Sequence, residues 1–271
     1  MKRNAAIALA LILMTACSKE ATDEPQGRWL TINASAWTQE TRAGLEADGK
    51  PMTDLWLMDY KDGAIVQTIH QASTDDNFGS VSLYATYGAH VFYLTASRGS
   101  SPAVDETAHT ITWEKPSDTF WQPKALTVDA NTTATSVSMD RVAARLSVRI
   151  DDAIPSAATT MTVTADKWRK GLDYMTGEPT DGVAQNYSMT LQQGTPTMIC
   201  YTLAPASGTM TTGVTVGVAD ANGQSLGSAA GGTVELSRNK QTLLHGNLFG
   251  SSPSLTVSLN DVWGGSDEQS W

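Results

Sequence analysis

The sequence predicts an all-β protein made of two tandem antiparallel β-sandwiches, and three observations predict it. No long stretch repeats its apolar residues at the helical period of 3.6. Short runs that alternate apolar with polar residues recur instead, separated by Gly, Asn, Asp and Pro turn chemistry. The chain of 271 residues is also long enough for one large or two ordinary domains.

Taken in order, the chain opens with Lys2 and Arg3, an unbroken apolar run from Ala5 to Met14, and the small pair Thr15-Ala16 before Cys17. A basic start, an apolar middle and a small-residue cleavage site read as a secretory signal. The run is too short for a spanning helix, which needs about 20 apolar residues. A cysteine just past the cleavage site resembles a bacterial lipoprotein signal. That resemblance implies removal of residues 1–16 and acylation of Cys17, whose several acyl chains would form a stable anchor. Residues 17–27 are then a polar tether. Its acidic start, Ser18-Lys19-Glu20 with Asp23-Glu24, resembles the export tag of Bacteroidetes surface lipoproteins and implies the outer face of the outer membrane.

Without the signal, 16 basic residues stand against 28 acidic ones, a net charge of −12. Nucleic acid is excluded as a partner, since phosphate binding draws on clustered Lys and Arg and no such cluster exists. Once Cys17 is acylated only Cys200 remains, so no internal disulfide can form. Cys200 sits in the apolar run Met198-Ile199-Cys200-Tyr201 and reads as a small buried hydrophobe.

The first sandwich is expected over residues 28–132, with strands near 29–37, 54–60, 64–70, 81–86, 90–96, 108–114 and 124–129. Lys61-Asp62-Gly63 joins the second and third as a short hairpin, because Asp-Gly accepts the positive φ angles such turns need. Seven strands at this spacing suggest an immunoglobulin-like or related sandwich. The small polar stretch Ala130 to Thr135 is the expected boundary, with 151–158 as the competing choice. The second sandwich is expected over 133–263, followed by a tail at 264–271. Its first strand shows the cleanest alternation. Val142, Ala144, Leu146, Val148 and Ile150 share one face, while Arg141, Ala143, Arg145, Ser147 and Arg149 share a face expected to be solvated. Further strands are expected near 160–165, 187–191, 197–203, 214–218, 234–236, 242–248 and 255–259. Residues 167–181 read as a long irregular excursion, and Asp220-Ala221-Asn222-Gly223 as another hairpin turn.

Motifs for chemistry are few. Gly223-Gln224-Ser225-Leu226-Gly227 matches a nucleophile elbow, with Glu235 and His245 following in order, but an elbow needs a strand before and a helix after. Here a hairpin turn precedes, and Ser228 to Gly232 reads as a loop. Asp75-Asp76-Asn77-Phe78-Gly79 echoes a calcium loop whose twelfth position would be Thr86 instead of a bidentate Glu. His70, His90, His109 and His245 lack metal-ligand spacing, and no glycine-rich loop opens a helix. No catalytic residue, metal or cofactor is therefore expected. Trp113, Trp121, Trp168 and Trp263 lie at strand ends or in loops. Trp168 is the candidate ligand contact, because its strand parity places it with Thr162, Thr164 and Asp166, where an indole could stack on a sugar; packing at a domain seam is the other reading.

Several stretches resemble the Bacteroidales fimbrillin-type (FimA-like) superfamily of fimbrial subunits and anchor lipoproteins. They are the lipoprotein signal, Thr41-Arg42-Ala43 after the first strand, Leu55 to Gly63, Arg141 to Val148, Leu236 to Thr242, and Gly246-Asn247-Leu248-Phe249. The resemblance implies two transthyretin-like sandwiches and a place in a surface pilus as stalk, tip or membrane-bound anchor. It implies further that an Arg-specific protease cuts at Arg42, and that loss of the first strand opens a groove filled by an extended segment of the next subunit. Partners would be other fimbrial subunits, the outer membrane through Cys17, and a host or bacterial surface ligand. A surface glycan-binding lipoprotein using exposed tryptophans is the alternative.

Overall fold

A computed structural model describes residues 26–36, 46–47, 50–99, 101–180, 182–191, 197–250 and 252–260. The first region contains β1 (Gly27–Ala36), β2 (Glu46–Ala47), β3 (Lys50–Pro51), β4 (Asp54–Lys61), β5 (Ala64–Ala72), β6 (Ser80–Thr86), β7 (Gly88–Ser97), β8 (Ala103–Asp105), β9 (Thr110–Thr112), β10 (Thr119–Val128) and β11 (Ala134–Arg141). The second contains β12 (Ala143–Ile150), β13 (Ala158–Trp168), β14 (Gly171–Asp173), β15 (Glu178–Pro179), β16 (Val183–Thr190), β17 (Thr197–Leu203), β18 (Met210–Asp220), β19 (Ser225–Leu236), β20 (Gln241–Asn247) and β21 (Ser254–Asn260).

Alternation along each strand builds the first core. Leu30, Ile32 and Ala34 of β1, Leu55 and Leu57 of β4, Val81, Leu83 and Ala85 of β6, and Phe92, Leu94 and Ala96 of β7 turn to one interior. One hydrogen-bonded run, β5-β4-β7-β10-β11-β1-β6, supplies both layers. β10 and β11 pair only at Phe120–Arg141 and Trp121–Asp140, so the run folds over there. The β4–β5 hairpin forms as expected, with φ of 53° at Asp62 and 78° at Gly63, the double positive that a two-residue turn requires.

The second sandwich packs β17-β12-β20-β21 on β16-β13-β18-β19 around Leu146, Val148, Met161, Val163, Val216 and Leu244. Its topology repeats the first. In each, the first strand pairs parallel with the seventh (β1 with β11, β12 with β20) and antiparallel with the fourth (β1 with β6, β12 with β17). The second strand lies between the third and fifth (β4 between β5 and β7, β13 between β16 and β18), and the sixth flanks the fifth. The all-β tandem sandwich therefore holds.

What differs is what each domain inserts. The first places β8 and β9 between its fifth and sixth strands, and the second places β14 and β15 between its second and third. The insertions join as one sheet, β15-β14-β9-β8, through Leu172 opposite Ile111. This sheet forms a third layer over the first sandwich, where Ile111, Trp113, Leu172 and Tyr174 pack on Met58 and Tyr60, with Val142 and Leu203 of the second region. The stretch expected to be an irregular excursion is thus the clamp between domains. Gly177 turns its tip at φ 72° and lies so close to Trp121 that a Cβ would meet the indole at 2.5 Å.

β11 belongs to the first sandwich, since it pairs along β1 and buries Val137 and Met139 in the first core. The boundary expected after residue 132 gives way to one at Val142, the single residue between β11 and β12. Val142 donates its N–H to Thr119 O at 2.9 Å and accepts from the Ala204 N–H at 3.0 Å, tying both domains to the crossing. Beside it Arg141 grips Asp118 with two hydrogen bonds of 2.7 and 3.0 Å and reaches Asn239 at 3.2 Å. Arg98 adds a third contact to Asp118 at 3.0 Å.

The arginine face expected to be solvated is mostly covered. Arg141 and Arg145 are buried, and only Arg149 remains substantially open, paired with Asp151 at 2.8 Å. β12 is an interior strand, and Tyr201 and Gln241 flank Arg145 at the same register. Gln241 accepts its Nε–H. Ser228 to Gly232 also departs from expectation, being part of β19 and not a loop. Glycine is needed there because a Cβ at Gly227 would meet Leu248 O at 2.7 Å, and one at Gly231 the Leu244 side chain at 2.8 Å.

Candidate functional site

Cys17 and Arg42, the expected lipidation and processing positions, lie outside the described residues, as does Trp263. Trp168 is described and is fully buried. A register shift between Ala165 and Trp168 adds a residue to the strand and reverses the side-chain parity. The indole accordingly enters the second core, donating to Tyr201 O at 2.6 Å and meeting Tyr187 edge-on. An indole in that position cannot stack on an external sugar. Trp113 is buried too, donating to Ser97 Oγ at 3.2 Å, while the half-buried Trp121 donates to Tyr174 O at 2.8 Å.

The hydrolase pattern comes apart in space. Ser225 and Glu235 lie on the same strand ten positions apart, about 30 Å at the usual rise per residue, and His245 binds Asp151 at 2.5 Å on another strand. That contact, with Arg149 behind it, holds the Asp151 carboxyl below its ordinary value. Three of the four histidines pair with an aspartate, which spacing alone did not reveal. His90 is buried between Asp59 at 2.7 Å and the Thr86 carbonyl at 2.8 Å. His70 donates to the buried Asp54 at 2.8 Å, which also accepts from Thr53 at 2.8 Å and from Ser101. Ser101 and His70 thus point at one carboxylate. A nucleophilic serine must instead give its proton to the imidazole, so this cluster staples β4 to β5 and the Ser101 loop. Cys200 is buried as expected, and burial pushes its thiol well above the usual range, away from the reactive thiolate. Burial, with help from the Tyr60 hydroxyl at 2.9 Å, likewise raises Tyr174. No group of His, Cys, Asp and Glu among the described residues is arranged to hold a metal ion.

With the side-chain chemistry spent on structure, the features left are strands and edges. β1 lies in the middle of its layer, bonded to β11 on one side and β6 on the other, with Leu30 and Ile32 fully buried. Among the described residues, no strand pairs with β11 between Ala134 and Met139 on its side away from β1. In the second sandwich the corresponding edge, that of β20, is covered by β21 over seven residue pairs from Gln241–Asn260 to Asn247–Ser254. An uncovered strand presents a row of backbone donors and acceptors, a template for another strand.

The fold of these two tandem sandwiches is shared with solved structures named as adhesion, polysaccharide binding and fimbrial proteins of Bacteroidales. A proposed polysaccharide binding protein (DUF1812) from Bacteroides thetaiotaomicron aligns with TM-score 0.55 at 7% identity over 86% of this chain and 96% of its own. A proposed cell adhesion protein from Bacteroides ovatus aligns with TM-score 0.52 at 11% identity over 90% and 99%. The fimbrial anchor protein Mfa2 from Porphyromonas gingivalis aligns with TM-score 0.51 at 10% identity over 87% and 98%. At such identities the likeness is one of fold. The chain itself belongs to the Family of unknown function (DUF6562), whose model matches residues 85–270. No curated protein matches it.

Proposed function

We propose that this protein is a non-enzymatic component of a surface fimbrium, an anchor or subunit held to the outer membrane by an acylated Cys17 and joined to its neighbours by strand addition. The observation that carries this reading is the contrast of edges: β20 is covered by the chain's own β21, whereas no strand among the described residues covers β11 from Ala134 to Met139. A strand laid on β11 would gain backbone hydrogen bonds, and side-chain pockets would set its register. A cut at Arg42 followed by loss of β1 would widen this edge into a groove lined by Val81, Leu83, Val137 and Met139, which pack around Leu30 and Ile32. An anchor would keep β1 and offer the edge alone. The shared fold with a fimbrial anchor and with adhesion proteins supports the same reading.

The test is to treat the purified full chain with an Arg-specific protease and follow mass and assembly together. A cut after Arg42, release of the β1 fragment and growth of a ladder of multimers are expected for a subunit. Arg42→Ala should abolish all three. For an anchor, intact chain should instead capture a peptide or subunit along β11, and Ser138→Pro, which removes a backbone N–H directed away from β1, should prevent capture. Strand addition is wrong if neither cutting nor any edge-mediated capture occurs. Intact-mass analysis of Cys17 from expressing cells, with and without globomycin, tests the anchor separately.

A further inference from the structure

The outward face of β6-β1-β11 carries an aromatic pair in water. Trp29 is 68% exposed and Tyr84 47% exposed, although residues of this size are mostly buried. They are direct cross-strand neighbours, with ring centroids 6.1 Å apart and planes at 75°. Tyr84 is held over the backbone of Gly27, where a Cβ would meet its ring at 2.8 Å. Next along the same face come Thr31 opposite Ser82, with hydroxyls 3.3 Å apart, then Asn33 opposite Ser80, bonded at 2.8 Å. Ser136 of β11 lies opposite Asn33 on the other side.

No charged side chain shares that face between Trp29 and Ser35 on β1, or at its partners on β6 and β11, in a chain with 46 charged residues. The face runs about 20 Å along β1 and about 10 Å across three strands. The outward face of β16-β13-β18-β19 is also rich in threonine, but the only large hydrophobic exposed on its strands is Val183. Hydroxyls alone therefore do not distinguish the first face; the two rings do.

We infer that this face is a binding site for a neutral glycan. An indole and a phenol offer flat apolar surface with a polar rim, suited to the C–H face of a pyranose. The hydroxyl and amide rows beyond them match a ligand that is itself dense in hydroxyl donors and acceptors. An acyl lipid surface would offer no partner to the donors and acceptors these rows do not already give each other, which is unfavourable. The absence of charge at these register positions fits a neutral sugar and gives no counter-ion to an acidic one. The site needs β1 in place but does not depend on strand addition.

Affinity electrophoresis of the full chain through gels containing yeast mannan, laminarin or xyloglucan, with polygalacturonate as the charged control, tests the inference. At least one neutral polysaccharide should retard the chain, and Trp29→Ala and Tyr84→Ala should each weaken binding about tenfold or more. Trp29→Phe should restore part of it. Thr162→Ala on the other sandwich should leave binding unchanged, and far-ultraviolet circular dichroism should show all variants folded. The inference is overturned if no neutral glycan binds, if binding survives both aromatic substitutions, or if polygalacturonate binds better. It is equally overturned if loss of Trp29 abolishes instead the binding of phosphatidylcholine vesicles or self-association of the chain.

Discussion

The two sandwiches share one strand order and differ in what closes them. The second lays its own β21 along the edge of β20 and turns the threonines of β13 and β18 outward. The first leaves β11, among the described residues, without a partner from Ala134 to Met139 on one side, exposes Trp29 and Tyr84 on one layer, and has its other layer sealed by the shared insertion sheet. A single topology thus takes two forms: one whose β20 is covered by the chain's own β21, and one in which the side of β11 away from β1 and the aromatic pair lie in the same layer. Edges and faces, more than side-chain chemistry, separate the two.

The comparison depends first on the clamp between the domains. Trp113→Ala empties the centre of the third layer and should cost about 3–5 kcal/mol. Asp118→Ala, which leaves the buried Arg141 without its carboxylate, should cost a similar 3–5 kcal/mol. Urea unfolding of either variant should split into two transitions as the sandwiches uncouple; a single transition at the wild-type midpoint would show that the insertion sheet is not what couples them. Gly177→Ala is the next largest, at about 1–3 kcal/mol, because it combines a positive φ with overlap on Trp121, and thermal unfolding measures it.

Truncation before Ser254 is the sharper probe of the edges. It should destabilise the second sandwich by roughly 1–3 kcal/mol, through the half-buried Leu255 and the lost ladder. It should also leave β20 as an uncovered edge, seen as new multimers in light scattering. If the truncated chain stays monomeric, β21 is not what finishes the second module. The smallest effect is expected from His245→Asn. Because the Asp151 carboxyl is held below its ordinary value in the folded state by His245 and Arg149, its contribution is present above the unfolded value and is lost as the pH falls through the lowered folded one. The substitution should remove a fraction of a kcal/mol at neutral pH and flatten the acid limb of the stability profile.

Much of the fold was legible because period-two patterning and turn chemistry act within a few residues. The Asp62-Gly63 hairpin, the alternation of β12 and the strand at 197–203 all follow from local rules. Trp168 was misread for the same reason: parity counted along the strand cannot anticipate a bulge, which depends on how β16 and β18 meet β13. The arginines of β12 look solvated when only their own strand is considered, and become buried once β17 and β20 lie on either side. Trp29 and Tyr84 stand 55 residues apart, and nothing in either segment announces the other.

By itself, the sequence determined the class, the number of modules and most strand positions, since those depend on residue type and short spacing. The tertiary structure alone decided the boundary at Val142, the joining of two insertions into a clamp, the burial of Trp168 and the contact of Trp29 with Tyr84. Each of these is a matter of which distant strands become neighbours, and that is settled by the packing of the whole chain, not by any one segment.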